Sequence, residues 1–549
     1  MSFRQKLHKI SKALEVKPTD DEYEKIETTR WGNRDTYPIP HDKRTYGVYA
    51  YMAYWGTCGI CLSSFTMGSS FIGIGLTAWQ AMLATCIGMF LACGSAYLSG
   101  VPGAKFALGY GAYARAAWGL WGSYFCIILN IFQCFVFYGI QMYFGGQAFV
   151  IILNAIFPTF LRMKNTIPLS SAITTKELIG FVLFIILYLP IIYFIPAHRI
   201  VKFLEANVVI SAATLCGILG WAVAMNGGSP GNLVKPAFTL SKTEQGFRIV
   251  QAITSVAGTY TGGSERLADW SRYSKRRHSS TPAIPILAIT VILTTLMGVI
   301  TASALTSYYD NAEVQWNPLI SLQQVQADTY TAKCRAATFF AGVGLLSVTV
   351  FVNYTMNCVC SGMDMAILLP KYLSQRRGSI LFSVVGILAQ PWRFVSQATT
   401  LVTVLSSFGV FLSPAASILV VDFWLVRKQK WNIPELFQPH GIYWFWNGIN
   451  WRAFLAYFLG MFPALPGFIN ATGGNPVSET WIRFFQISYF FGYLVSGGLY
   501  YLINMVFPPP GLGVQVDFDI DGHIVEIVDS ASDKTQEYGK TAEFTEAKV

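Results

Sequence analysis

Two pairs of side chains within apolar segments have the chemistry needed to bind a flat, polar molecule. Phe137 and Gln141 are four residues apart, so on a helix they share one face. An aromatic ring stacks on a planar ligand, and a primary amide both donates and accepts hydrogen bonds. Asn353 and Asn357 repeat the polar half of this pattern at the same spacing. Either pair alone is more typical of hydrogen bonds between helices, but together they indicate a site for a planar heterocycle.

Charged residues beside the apolar segments suggest a second kind of chemistry. Glu265 is the most costly of them, because an ionised carboxylate near the bilayer centre costs about 2.5–3.5 kcal/mol on insertion scales. It could carry a coupling proton or balance a cationic substrate; alternatively, it lies at the cytoplasmic surface and pairs with Arg266. We expect the others to form an ion-pair layer that gates the inner mouth: Lys105, Arg115, Asp269, Arg272 and Asp364.

The composition places these residues in a membrane. The chain has 549 residues, of which 53% are hydrophobic and only 12% are charged, against about 25% charged residues in soluble domains. Runs of eighteen or more apolar residues recur along it, each long enough to cross a bilayer. Soluble enzymes, nucleic-acid binders, secreted disulfide scaffolds and disordered proteins are excluded. The net charge of +10 comes from cations beside apolar runs, which set orientation and do not indicate a nucleic-acid partner.

The apolar runs predict twelve transmembrane helices within residues 47–507, between cytoplasmic tails at 1–46 and 508–549. Lys and Arg concentrate in alternate loops, for example 272–277 and 427–430, which puts both tails in the cytoplasm by the positive-inside rule. The predicted spans are 47–70, 77–99, 119–146, 176–195, 203–226, 247–265, 284–306, 336–360, 379–392, 397–425, 452–470 and 483–507.

Glycines cluster inside two of these spans. Unwound backbone at membrane depth is tolerated only where it lines a cavity, so such clusters point to a binding site. The two spans occupy corresponding positions in two halves of five helices, which favours an inverted-repeat transporter. The alternative is that the small residues allow close helix packing. The glycines are Gly56, Gly59 and Gly68 in the first span and Gly258, Gly262 and Gly263 in the sixth.

At these residues the chain resembles the nucleobase–cation symporter-1 family, specifically its fungal uracil, allantoin, uridine and thiamine permeases. The resemblance covers about residues 30–505. It rests on several stretches together: Tyr138-Gly139-Ile140-Gln141, Asp269-Trp270-Ser271-Arg272-Tyr273, Ser361-Gly362-Met363-Asp364-Met365 and Ser406-Ser407-Phe408-Gly409.

The resemblance implies an all-α membrane protein with twelve transmembrane helices. The implied fold is of the LeuT type, a 5+5 inverted repeat in which helices 1 and 6 are broken. Members of the family hold their ligand between an aromatic residue on the third span and one on the sixth, with a span-three glutamine and a span-eight asparagine. The residues that match these positions are Phe137, Tyr260, Gln141 and Asn357.

Two departures from the family pattern bear on the ligand and on the coupling ion. Phe137 stands where many relatives have tryptophan, which keeps the stacking surface but removes an indole N–H donor. A sodium-coupled relative would carry a hydroxyl pair just before Asn353, whereas Phe351 and Val352 stand there. The second departure favours proton coupling.

The expected function is proton-coupled import of a small planar heterocycle by alternating access, most plausibly at the plasma membrane. Gln141 resembles the nucleobase branch, whereas 361–365 and 406–409 resemble the thiamine and nicotinamide riboside branch. A neutral nucleobase or related ureide is narrowly favoured. A non-transporting nutrient receptor with the same pocket is the alternative class. The expected partners are the substrate, protons and the lipid bilayer; nothing in the sequence supports an enzyme, a cofactor or a metal site.

Overall fold

The computed structural model describes residues 9, 12–16, 28–40, 43–232, 240–309, 314–388, 390–393, 395, 397–518 and 524–526, which are mostly helical. The α-helices are α1 Val48–Gly59, α2 Leu62–Gly73, α3 Ala78–Phe106, α4 Tyr110–Trp118, α5 Gly122–Ile156, α6 Pro158–Leu161, α7 Thr175–Phe194, α8 Val201–Met225, α9 Lys242–Glu265, α10 Leu267–Ser271, α11 Ile284–Tyr309, α12 Pro318–Asp328, α13 Ala332–Val352, α14 Cys360–Leu368, α15 Gln375–Ile387, α16 Ala398–Val421, α17 Trp451–Met461, α18 Leu465–Ala471, α19 Glu479–Gln486 and α20 Ser488–Val506. Two π-helical segments, Asn353–Val359 and Asp422–Val426, continue α13 and α16. A small antiparallel sheet pairs β1 Val516–Phe518 with β2 Ile524–Glu526.

Eight helical runs among the described residues are long and apolar enough to cross a bilayer, which confirms a multi-pass membrane protein. Their burial separates the centre from the periphery. The apolar part of the run formed by α16 and its π segment is 72% buried, whereas those of α7 and α8 are 28% and 22% buried. The α16 run therefore lies in the core, and α7 and α8 face lipid. The eight runs are Ala78–Phe106, Gly122–Ile156, Thr175–Phe194, Val201–Met225, Thr281–Tyr309, Ala332–Leu368, Ala398–Val426 and Trp451–Ala471.

The other four predicted spans, the first, sixth, ninth and twelfth, overlap helices that are shorter or less apolar than these runs. The first span comprises α1 and α2, separated by Ile60 and Cys61, and the Cys61 sulfur accepts a hydrogen bond from the Ser64 backbone N–H at 3.5 Å. The sixth span lies within α9, and the short α10 follows it after Arg266. In the eighth span, the π-helical segment at 353–359 lies between two α-helices, an irregularity that glycine positions did not predict.

The glycines of the sixth span lie inside continuous α-helix, so they serve close packing there. A Cβ atom added to Gly258 would lie 2.7 Å from the Gly409 backbone nitrogen on α16. One added to Gly262 would lie 1.6 Å from the Gln133 side-chain oxygen on α5. The helix turns only after Glu265, where the chain begins α10. The small residues thus bring α9 close to α5 and α16.

The residues before α1 pack against the ends of the helices. The Asn33 amide donates to the carbonyl oxygens of Pro370 at 2.8 Å and Leu373 at 2.9 Å. Tyr46 pairs with the backbone after α10, with its N–H 2.8 Å from the Tyr273 carbonyl oxygen. Residues 31–40 and 43–46 therefore pack on the helical body on the side that the sequence predicts to be cytoplasmic.

The close contact between α2 and α11 leaves no room for a side chain at Gly298. A Cβ atom at Gly298 would lie 2.1 Å from the Phe65 carbonyl oxygen, so Gly298→Ala should force the two helices apart. Overpacking of this kind costs about 1–3 kcal/mol, and we expect a lower thermal unfolding temperature for the purified protein. The matched control is Gly220→Ala on α8, where an added Cβ meets nothing within 4 Å. Equal unfolding temperatures for both variants would contradict the described packing.

Candidate functional site

A central cavity of about 60 Å³ lies between α5, α9, the first-span interruption and the end of the eighth span. Phe137 and Gln141 enter it from α5, Tyr260 from α9, and Asn357 from the π-helical segment. These four residues come from three parts of the chain that are far apart in sequence. The predicted set thus meets around one chamber, with the exception of Asn353.

Gln141 holds one end of the central cavity. Its Nε2 donates to the Ser63 hydroxyl oxygen on α2 at 2.8 Å. Its Oε1 is buried and accepts no hydrogen bond from the described residues. One turn away on the same face, the Phe137 ring packs on the Phe408 ring of α16, with centroids 5.1 Å apart and planes tilted by 31°. The cavity therefore offers an unused amide acceptor beside an anchored aromatic ring.

Asn353 supports the site from outside the cavity lining. The Asn357 amide donates to the Asn353 side-chain oxygen at 2.9 Å, and the Asn353 amide reaches the Tyr138 carbonyl oxygen on α5 at 3.4 Å. Both asparagines lie in the π-helical segment, a form of helix that is frequent at functional sites. Asn353 thus orients Asn357, which alone of the two faces the chamber.

Tyr260 links α9 to α2. Its hydroxyl lies 2.6 Å from the Ser64 hydroxyl at the start of α2, so α9 and α2 share a hydrogen bond beside the central cavity. Gln133 also lines the cavity, and its amide donates to the Thr259 carbonyl oxygen at 3.1 Å. The sequence analysis missed Gln133, although it lies four residues before Phe137 on the same helical face.

Sulfur atoms form a second part of the lining that the sequence did not indicate. Two of the cysteines flank the first-span interruption, the third lies on α5, and the methionine lies in the π-helical segment. Thiol and thioether groups are soft and polarisable, so this wall is adaptable and uncharged. Among the described residues no cluster of His, Cys, Asp or Glu is arranged to hold a metal. The sulfur-bearing residues are Cys58, Cys61, Cys134 and Met356.

Glu265 is not one of the residues that line the central cavity, and it is fully buried. Its Oε2 accepts from the Asn130 amide at 3.1 Å, while Oε1 accepts nothing from the described residues. Asn130 precedes the cavity residue Gln133 by three positions, about 4.5 Å along the helix axis. The alternative pairing of Glu265 with Arg266 is wrong, because Arg266 forms a buried ion pair with Asp364 instead.

The expected ion-pair layer is replaced largely by hydrogen bonds to backbone groups. Arg272 donates to the carbonyl oxygens of Asp35 at 2.9 Å and Tyr37 at 2.8 Å. Asp269 accepts the Tyr110 backbone N–H at 2.8 Å at the start of α4. Among the described residues, Asp364 is the member of this group that forms a side-chain ion pair, and its partner is Arg266.

Lys105 and Arg115, which lie between the second and third predicted spans, also bind backbone carbonyls. Arg115 donates to Trp31 at 2.7 Å and to Leu436 at 3.0 Å. Lys105 Nζ donates to the Gln429 carbonyl oxygen at 2.6 Å. The sequence gives the positions of the charged residues along the chain. It does not show which unpaired carbonyl groups at helix ends and in loops they will bind.

Residues 38–492 match a family model described as permease for cytosine/purines, uracil, thiamine, allantoin. The chain belongs to the nucleobase–cation symporter family. The predicted resemblance is thereby confirmed, and the homologues of this permease are transporters, not enzymes.

Three curated relatives are similar over most of the permease. Transporter aclS of Aspergillus oryzae is 30% identical, and the match covers 89% of this chain and 88% of the aclS chain. The thiamine transporter of Saccharomyces cerevisiae is 31% identical, covering 92% and 84%. Nicotinamide riboside transporter 1 of the same yeast is 29% identical, covering 87% and 79%.

A solved structure supports the fold. Mhp1, a nucleobase-cation-symport-1 family transporter in a closed conformation with bromovinylhydantoin bound, matches with a TM-score of 0.65 at 19% identity. The match covers 87% of the permease and 96% of Mhp1. The permease therefore has the fold of this transporter.

Proposed function

We propose that the permease imports a small planar heterocycle across the plasma membrane, coupled to protons, by alternating access. The convergence of Phe137, Gln141, Tyr260 and Asn357 on one chamber carries this proposal. Stacking between the aromatic side chains would hold the ring, and the unused Gln141 oxygen would accept a ring N–H. Because Asn353 fixes Asn357, that amide is oriented before the ligand arrives.

The proposed transport cycle uses twelve membrane crossings arranged as two inverted halves of five helices plus two. In this scheme the first and sixth spans act as broken helices on either side of the ligand. The hydrogen bond between Tyr260 and Ser64 supports such a junction, since it joins α9 to α2 where α1 has ended. Relative movement of these elements would open the chamber to one side at a time.

Glu265 is the proposed proton carrier. An ionised carboxylate deep in the fold is costly without a cation, and this one has an amide partner and no ion pair among the described residues. Protonation removes the charge, and water access in another state restores it. A proton that binds two states with different affinity shifts the population between them, which is what coupling requires.

Thiamine or nicotinamide riboside is the second candidate cargo, in place of a neutral nucleobase or ureide. The relatives at 29–31% identity that carry these names favour it, and aromatic faces attract cations. Against it, no carboxylate lines the central cavity among the described residues, so a cation would be buried without a direct counter-charge. We therefore favour the neutral class. A receptor that binds without transport is the remaining alternative, and net flux in vesicles would exclude it.

Removal of the cavity amides should abolish most uptake. Gln141→Ala and Asn357→Ala each delete a ligand hydrogen bond worth about 1–3 kcal/mol, so uptake at low substrate should fall by about tenfold or more. Surface abundance should stay unchanged. The matched control is Asn475→Ala, an exposed amide in the loop before α19. Normal uptake in both cavity variants would show that the site is misplaced.

Neutralising the proton carrier should uncouple transport from the proton gradient. In proteoliposomes, Glu265→Gln should lose accumulation driven by an inward proton gradient while exchange of labelled for unlabelled substrate continues at equal pH. Glu205→Gln, an exposed carboxylate on α8, is the matched control and should keep both activities. Gradient-driven accumulation by Glu265→Gln would rule out this assignment.

Competition in transporter-deficient cells should identify the cargo class. We expect unlabelled uracil, allantoin or uridine to compete for the imported label, and thiamine or nicotinamide riboside to compete weakly. A protonophore added in parallel should reduce uptake. The opposite order of competitors would establish the cationic class, and the aromatic and sulfur-lined walls would then be its recognition surface.

A further inference from the structure

A second cavity of about 730 Å³ lies on the side that the sequence predicts to be cytoplasmic. Its walls come from the segment before α1, the end of α7, the turn after α10, the π-helical segment with α14, and the start of α15. It shares no lining residue with the central cavity, although both border the π-helical segment. We name it the basic cavity, after its cationic lining.

The lining of the basic cavity has a large excess of positive charge. Five cationic side chains face it, and Asp35 is the one carboxylate among the described lining residues. Asp35 Oδ2 already accepts the Gln375 backbone N–H at 2.9 Å, where it caps the N-terminus of α15. The cationic residues are Arg34, Lys43, Arg272, Arg376 and Arg377.

The described hydrogen bonds of Arg272 and Arg377 in this lining go to neutral groups. Arg272 is buried and donates to two carbonyl oxygens, while its Nε has no hydrogen-bond partner among the described residues. Arg377 donates to the carbonyl oxygens of Leu14 at 2.6 Å and Tyr372 at 3.2 Å. Neutral acceptors hold these guanidinium groups in place, and neither group forms an ion pair with a described carboxylate, although the nearby Asp269 carboxylate offsets part of the charge of Arg272.

The chemistry of the walls selects the kind of anion. Guanidinium groups match phosphate oxygens in paired, charge-assisted hydrogen bonds, and a phosphate monoester carries a charge of about −1.5 to −2 at pH 7. Three tyrosines and several aliphatic residues form the rest of the wall, which suits a ring attached to the phosphate. The volume lies within the range of about 300–1,000 Å³ that is usual for small-molecule sites. The tyrosines are Tyr193, Tyr273 and Tyr354.

We propose that the basic cavity binds a phosphorylated heterocycle, a phosphate monoester of the kind made from the cargo after import. This inference rests on the proposed function for the cargo class and for the cytoplasmic orientation. The phosphate would bridge Arg272, after the sixth span, to Arg376 and Arg377 at the start of α15. A phosphoinositide headgroup offers the same phosphate chemistry from the membrane, so the test must separate the two sources.

The test measures binding to the purified full-length permease in nanodiscs of neutral phosphatidylcholine. The soluble probes are uridine monophosphate and thiamine monophosphate, and their binding is measured by calorimetry. In a parallel arm, nanodiscs containing phosphatidylinositol 4-phosphate are tested for a rise in unfolding temperature without nucleotide. The test variant combines Arg376→Gln with Arg377→Gln, both at exposed positions. Arg376→Gln alone is measured as well, so that the test still stands if the double variant misfolds. The control with equal charge loss is Lys202→Gln with Lys428→Gln, also exposed.

We expect at least one soluble monophosphate to bind, with affinity at least about tenfold weaker in the arginine variants and unchanged in the lysine control. Stabilisation by the phosphoinositide alone, lost in the same variants, would support the phosphate site but assign it to lipid. No binding of any probe, or equal loss in the control, would overturn the proposal. Because no cargo is present, these outcomes are independent of whether the uptake experiments succeed.

Discussion

The buried ion pair between Arg266 and Asp364 is the interaction on which the centre of the fold depends. Each side chain is 1% exposed, and a single buried charge left without its partner costs about 3–5 kcal/mol. Arg266 separates α9 from α10, and Asp364 lies on α14 beyond the π-helical segment. Arg266 Nη1 also donates to the Cys134 sulfur on α5 at 2.6 Å. One guanidinium group thus joins the junction of α9 and α10 to α14 and to α5, and of these elements α5 and α9 line the central cavity.

The same pair leaves Glu265 without an ion-pair partner among the described residues. Its neighbour Arg266 is committed to Asp364, so Glu265 is left with the Asn130 amide. The structural charge and the proposed coupling charge are therefore adjacent in sequence and separate in their hydrogen-bond and ion-pair contacts.

The sequence predicted the family, the membrane class and the helix face that carries Phe137 and Gln141, because each depends on local pattern. It did not predict the partners of the charges. Arg115 and Arg272 find backbone carbonyls whose positions follow from loop packing, and no spacing rule encodes that packing. The π-helical segment escaped notice for a similar reason: glycine marks flexible backbone, whereas this segment contains none. Ser63 was not predicted as a site residue, since its contact with Gln141 joins positions 78 residues apart in the chain.

The π-helical segment gives the two cavities a physical connection. Asn357 faces the central cavity, whereas Tyr354, three residues earlier, faces the basic cavity and donates through its hydroxyl to the Ile195 carbonyl oxygen. Asn353 ties the same segment to α5. Under the proposed roles, a ligand that repositioned Tyr354 would act on the backbone segment that orients Asn357. Because linkage is reciprocal, any effect of an anion in the basic cavity on cargo affinity would equal, as a factor, the effect of cargo on anion affinity.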